Sequence, residues 1–159
     1  MTKIALEPIT IPGGLFDQAS FIRVLRNVRA ARAKDIKIDF DVTAQTWTNA
    51  PKAKIQHIGD TEAIITMNDD RYVYVNDGTR PHDIRPRNAP RLRFQTGYKP
   101  KTVVRQIASR SGGSFGPTVY SLGVRHPGTE GRHFDDEIAK KWNRLLPDIV
   151  GRAILAELG

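Results

Sequence analysis

The sequence predicts an α+β fold: an antiparallel β-sheet packed against a long N-terminal helix and a C-terminal helix, with an extended arm and a flexible hairpin loop. Three observations carry this. Leu15 to Asn49 contains no glycine or proline and repeats its apolar residues at helical steps. The middle of the chain breaks into short β-branched runs divided by turn residues. A second helical stripe follows Phe134. At 159 residues the chain suits a single domain, 1–159.

Residues 1–14 read as a short extended segment that ends at the Pro12-Gly13-Gly14 break. In the first helix Ile22, Leu25, Ala33, Ile36, Phe40, Ala44 and Trp47 form the apolar stripe, interrupted by Arg29. A competing strand pattern lies inside it, with Ile36, Ile38, Phe40 and Val42 alternating with charged residues. The lack of any turn signal between Ala30 and Trp47 favours one helix, bent near Asp35, and Pro51 ends it. Ala53–Ile58, Thr61–Met67 and Arg71–Val75 then read as strands, with Gly59-Asp60 and Asn68-Asp69-Asp70 as hairpin signals. Arg80 to Pro90 carries three prolines and is expected as an arm or edge, because proline donates nothing to a ladder. Arg91–Phe94, Thr102–Ala108 and Thr118–Val124 read as further strands. The glycine- and serine-rich stretch 109–117 is expected as a mobile hairpin tip. From Phe134 to Leu158, Ile138, Trp142, Leu145, Leu146, Ile149, Ala153 and Leu155 recur at helical spacing. Pro147 should kink that helix. Trp47 and Trp142 are expected in the core.

The chain has 39% hydrophobic and 8% aromatic residues, a lean core that suggests some surface is completed by neighbours. The formal net charge is +8, which favours polyanionic partners. Two basic stretches stand out. Arg80, Arg85, Arg87, Arg91 and Arg93 punctuate the proline arm, with Tyr98, Lys99 and Lys101 after it. Arg23, Arg26, Arg29 and Arg32 share one drifting face of the first helix. There is no cysteine, so disulfides, thiolate metal sites and cysteine catalysis are excluded. No stretch has the apolar length of a signal peptide or membrane span.

No catalytic set emerges, and none is expected. His57, His82, His126 and His133 lack metal-ligand spacing, and the preferred role for His82 and His126 is to bond turn backbone. Ser111 and Ser114 do not sit in a Gly-x-Ser-x-Gly elbow. Gly112-Gly113-Ser114-Phe115-Gly116 lacks the lysine of a phosphate loop. No enzyme activity, cofactor or metal is expected.

The most informative feature is an echo. Val75-Asn76-Asp77-Gly78-Thr79-Arg80-Pro81-His82 is matched by Val124-Arg125-His126-Pro127-Gly128-Thr129. Each copy takes a β-branched run into a turn with a histidine beside it, and Gly78 and Gly128 suit backbone that side chains avoid. Gly78, Thr79, His82, His126, Pro127 and Gly128 are the expected structural turns. Together with Ile84-Arg85-Pro86, Leu92-Arg93-Phe94 and Phe134, over about Tyr72–Phe134, they resemble the neck and tail-completion proteins of long-tailed bacteriophages, a family that includes minor tail protein Z and head–tail joining proteins. Trp47-Thr48-Asn49-Ala50-Pro51 looks like the helix exit of prophage members.

The resemblance implies a non-enzymatic virion protein, made in the host cytoplasm. It would form a ring, as a hexamer of this chain, that completes the tail and joins it to the DNA-filled capsid. Its partners would be the connector and the tail terminator, with non-specific contact to DNA in the channel and none to a membrane. Arg80, Arg85, Arg87, Arg91, Arg93, Ser111, Gly112, Gly113, Ser114 and Phe115 are the candidate assembly contacts. The alternative is a basic domain that binds nucleic acid without sequence specificity.

Overall fold

The computed structural model describes residues 17–60 and 62–158. The expected N-terminal segment 1–14 lies outside them. The architecture is α+β, with two long helices and small two-stranded antiparallel sheets. The backbone divides into two compact units. Of the described residues, the first comprises 17–41, 52–60, 62–68 and 135–158, and the second 42–51 and 69–134.

In the first unit, α1 (Gln18–Ala44) starts where Asp17 accepts from the Ala19 and Ser20 amides. Its helical stripe buries Val24, Ala33, Ile36 and Phe40, while Ile38 is 56% exposed. The helix period therefore prevails over the alternating pattern. α3 (Phe134–Leu158) contributes Ile138, Trp142, Leu146 and Val150 to the same core. Pro147 lies inside that helix without ending it. One polar clamp joins the two helices: Asp39 accepts from Lys141 Nζ at 2.6 Å and from Trp142 Nε1 at 2.7 Å. The hairpin β1 (Lys54–Ile58) and β2 (Glu62–Thr66) completes the unit, in register from Lys54–Thr66 to Ile58–Glu62. Ala53, just before it, is buried and donates its amide to Asp41.

In the second unit, 71–75 is not a strand. It belongs to α2 (Asp70–Asp77), which Asp69 caps by accepting from the Arg71 and Tyr72 amides. The Asn68-Asp69-Asp70 triplet is thus a helix start rather than a hairpin turn. Helical spacing then buries Tyr72 and Asn76 one turn apart. Tyr72 packs against Phe134 and Trp47, with ring centroids 5.6 and 6.2 Å away. Trp142 is buried in the first unit, whereas Trp47 is only half-buried.

After α2 come β3 (Gly78–Thr79), β4 (His82–Ile84), β5 (Leu92–Gln95), β6 (Thr118–Ser121), β7 (Val124–His126) and β8 (Thr129–Glu130). They pair β3–β8, β4–β7 and β5–β6, so the expected single sheet is replaced by segments of one long two-stranded ribbon. A single register runs from Gly78–Glu130 through His82–His126 to Ile84–Val124. Arg85 to Arg91 then loops out opposite Leu122-Gly123. The ladder resumes at Leu92–Ser121 and continues to Gln95–Thr118.

Candidate assembly surface

The two echoed turns are one structural object. They face each other at the base of the ribbon, with Thr79 opposite Thr129 and their hydroxyls 3.1 Å apart. Gly78 has φ +81° and ψ 178°, and a Cβ there would stand 2.5 Å from Thr129 O and 2.7 Å from Gly131 N. Gly128 has φ +89°, and a Cβ would overlap Thr79 O and stand 3.0 Å from the Arg80 carbonyl carbon. Both glycines let two backbones pass where a side chain has no room. Arg132 and His133 amides close the base on Val75 and Asn76 carbonyls at 3.0 Å.

One step along the ribbon, His82 and His126 stack across the strands at 5.0 Å between centroids. His82 Nδ1 lies 2.8 Å from Arg80 O, an acceptor only, so that nitrogen carries the hydrogen. His126 Nδ1 instead accepts the Gly128 amide at 3.0 Å. The two rings therefore use Nδ1 in opposite ways, His82 donating to the Arg80 carbonyl and His126 accepting from the Gly128 amide. On the opposite face Asp83 pairs with Arg125 at 3.2 Å. Pro127 is exposed between His126 and Gly128.

The glycine-rich stretch 109–117 is not the hairpin tip. The turn is at Val103–Ala108, beyond the Thr102–Ser109 bridge, and 103–108 is not the strand expected there. Ser109 to Pro117 forms one side of an irregular ladder. Lys99 and Gly113 exchange both backbone bonds at 2.7 and 2.8 Å, Arg110 donates to Lys101 O, and Gly116 donates to Thr96 O. A Cβ on Gly112 would be 2.6 Å from Lys99 O, and one on Gly116 would be 2.9 Å from Thr96 C. Here glycine serves close backbone approach. Ser109 Oγ donates to Thr43 O, Lys101 Nζ donates to Thr46 O, and the Arg105 amide donates to Arg132 O. The far end of the ribbon thus returns to the last turn of α1, to the residues just after it and to the ribbon's own base.

Phe115 and Ser111 are exposed, whereas Gly112, Gly113 and Ser114 are half-buried in the ladder. Phe94, Tyr98, Val119, Tyr120 and Leu122 join Phe115 as exposed large apolar residues of the ribbon, with Leu122 at 73%. Cross-strand pairing puts Arg93 beside Tyr120 and Gln95 beside Thr118 on one face, and Phe94 beside Val119 on the other.

The two arginine stretches separate in role. On α1, Arg23 pairs with Glu157, Arg26 with Asp60 at 2.8 Å and Arg32 with Asp35 at 2.9 Å, while Arg29 donates to Gly59 O. Those cations find their partners within the first unit. Arg80, Arg85, Arg87, Arg91 and Arg93 are exposed and form no ion pair among the described residues. Arg105 and Arg110, also exposed, extend the set and were not among the expected contacts.

Among the described residues, no three His, Asp or Glu side chains group as a metal site, and no helix is long and apolar enough to cross a membrane. No family model matches the chain, and no curated protein or solved structure matches it.

Proposed function

We propose that this chain is a structural protein of a phage neck, forming a ring that completes the tail and joins it to the DNA-filled capsid. The observation that carries the reading is the pairing of the two Gly-Thr turns into the base of a long two-stranded ribbon. An isolated two-stranded ribbon is marginal in water, and its outer edges offer unpaired backbone groups to a neighbour. This ribbon also exposes Phe94, Tyr120, Leu122 and Phe115, so its stable form is one in which other subunits cover it. The partners are further copies of the chain, as a hexamer, together with the connector and the tail terminator. The protein resides in the virion and performs no turnover.

The test is depletion and repair. Filled heads and tails made without this protein should fail to join, and adding the purified chain should restore infectious particles. Joining at the normal level without it would refute the proposal.

A further inference from the structure

The net positive charge of this chain lies in the ribbon. From Ile84 to Thr129 there are nine Lys and Arg residues and no Asp or Glu, against a formal net charge of +8 for the whole chain. Everything outside those residues therefore carries no net positive charge. Local pairing sharpens the contrast. The α1 arginines are matched by Glu157, Asp60 and Asp35, while in the ribbon, among the described residues, only Arg125 meets a carboxylate, that of Asp83. A surface of like charges without counter-charges is unfavourable unless a polyanion meets it.

We infer that the ribbon is a binding site for double-stranded nucleic acid, gripping the phosphate backbone without reading sequence. Charge alone would also suit an acidic protein, but the density of cations favours nucleic acid. Arg85, Arg87 and Arg91 stand on the segment looped out between β4 and β5, and Arg93 on β5 beside it, so four guanidinium groups fall within nine residues of chain. A duplex presents one negative charge per about 1.7 Å of its axis, a charge density that such a cluster suits. A two-stranded antiparallel ribbon also has the width that a duplex groove admits. Arg93, Gln95 and Thr118 share one face of β5–β6 and present phosphate donors together. Pro86 and Pro90 stiffen the loop that displays Arg85, Arg87 and Arg91, which lowers the entropy lost on docking. Arginine forks suit phosphate oxygens bidentately.

This inference does not rest on the neck proposal. A monomer that never forms a ring would still bind through its ribbon, and a ring that failed to bind DNA would still join heads to tails.

The experiment is fluorescence anisotropy with the full chain and two labelled 30-base-pair duplexes of unrelated sequence, across a salt series, with poly-glutamate as competitor. Equal affinity for both duplexes is expected, with log K falling linearly against log salt. Each phosphate contact contributes about −0.9 to that slope. Replacing Arg85, Arg87, Arg91 and Arg93 together by Gln should weaken binding at least tenfold and flatten the slope by about 3–4. The single Arg87→Gln variant should flatten it by about one, and Arg26→Gln on α1 should leave it unchanged. Melting curves confirm that each variant is folded. Three results would overturn the inference: no binding at low salt, a slope unmoved by the ribbon variants, or displacement of DNA by poly-glutamate at equal charge concentration. The last would assign the surface to an acidic protein.

Discussion

Gly78→Ala should be among the most damaging single-methyl changes in this protein. Gly78 sits at φ +81° and ψ 178°, backbone essentially restricted to glycine. Any other residue there costs about 1–3 kcal/mol in strain alone. The added Cβ would also stand 2.5 Å from Thr129 O and 2.7 Å from Gly131 N. Both are backbone atoms of the segment paired opposite, so relief requires the β3–β8 pairing to open. Losing one or two of its bonds adds about 1 kcal/mol each. The expected total is about 2–5 kcal/mol, a large share of a typical domain's stability. Two controls isolate the parts. Gly59 has φ +55° but nothing within 4 Å of its Cβ position, so Gly59→Ala should cost only the left-handed strain of about 1–2 kcal/mol. Gly151 lies in α3 with open space around it, so Gly151→Ala should stabilise by about 0.5–1 kcal/mol. Urea midpoints at unchanged slope give the three values. Amide exchange at Arg132 and His133 reports whether the ribbon base has opened. Equal losses for Gly78→Ala and Gly59→Ala would show that close approach at the ribbon base is not what the glycine provides.

Trp142→Ala should destabilise by about 3–5 kcal/mol, since the ring is buried at 5% exposure and its Nε1–H is bonded to Asp39. Trp142→Phe should lose only part of that, and urea unfolding that ranks the two variants equally would place the effect outside packing. Acid should destabilise the protein through named carboxylates. Burial pushes the Asp41 carboxyl up, but bonds from Lys37 and the Ala53 amide outweigh it, leaving Asp41 below its usual 3.8, and the Arg71 side chain holds Asp69 low. Both folded values are depressed, so their stabilisation is complete above about pH 4 and is lost as pH falls through those values. The melting temperature should drop over that range by less in an Asp41→Asn/Asp69→Asn variant, and an identical drop would exclude these groups as the cause. Tyr120→Ser with Leu122→Ser should change monomer stability by under about 0.5 kcal/mol per site, because both side chains face solvent, yet weaken self-association in sedimentation. Unchanged assembly would remove the exposed ribbon residues from the interface.

α1 was legible because its period is local: Ala33, Ile36 and Phe40 fall on one side and Ile38 on the other, as a helix requires. α2 was misread because its β-branched and aromatic residues suit a strand, and Asp69 decides the matter through a capping bond that a turn reading overlooks. The glycines of 109–117 were read as freedom of motion. Their use is steric, and it depends on Lys99, Pro100 and Thr96 arriving opposite, which no local window displays. The echoed turns stood out in the sequence, but their pairing did not, because the register survives only by looping out Arg85 to Arg91. The arginines of α1 looked like a polyanion surface for a similar reason. Their partners Glu157 and Asp60 are remote in sequence, and only the fold removes those cations from the available charge. The acid-free span of the ribbon was readable from composition alone, and it is the signal that would have brought Arg105 and Arg110 into the candidate set.

The central claim is that this chain is an assembly component whose ribbon makes the joining contacts. The most direct measurement mixes DNA-filled heads with tails lacking the protein, and supplies either the native chain or the Tyr120→Ser/Leu122→Ser variant at equal concentration. Infectious particles should appear with the native chain and fall by at least tenfold with the variant, while both proteins melt alike. Equal infectivity from the two, or full infectivity with neither added, would contradict the account.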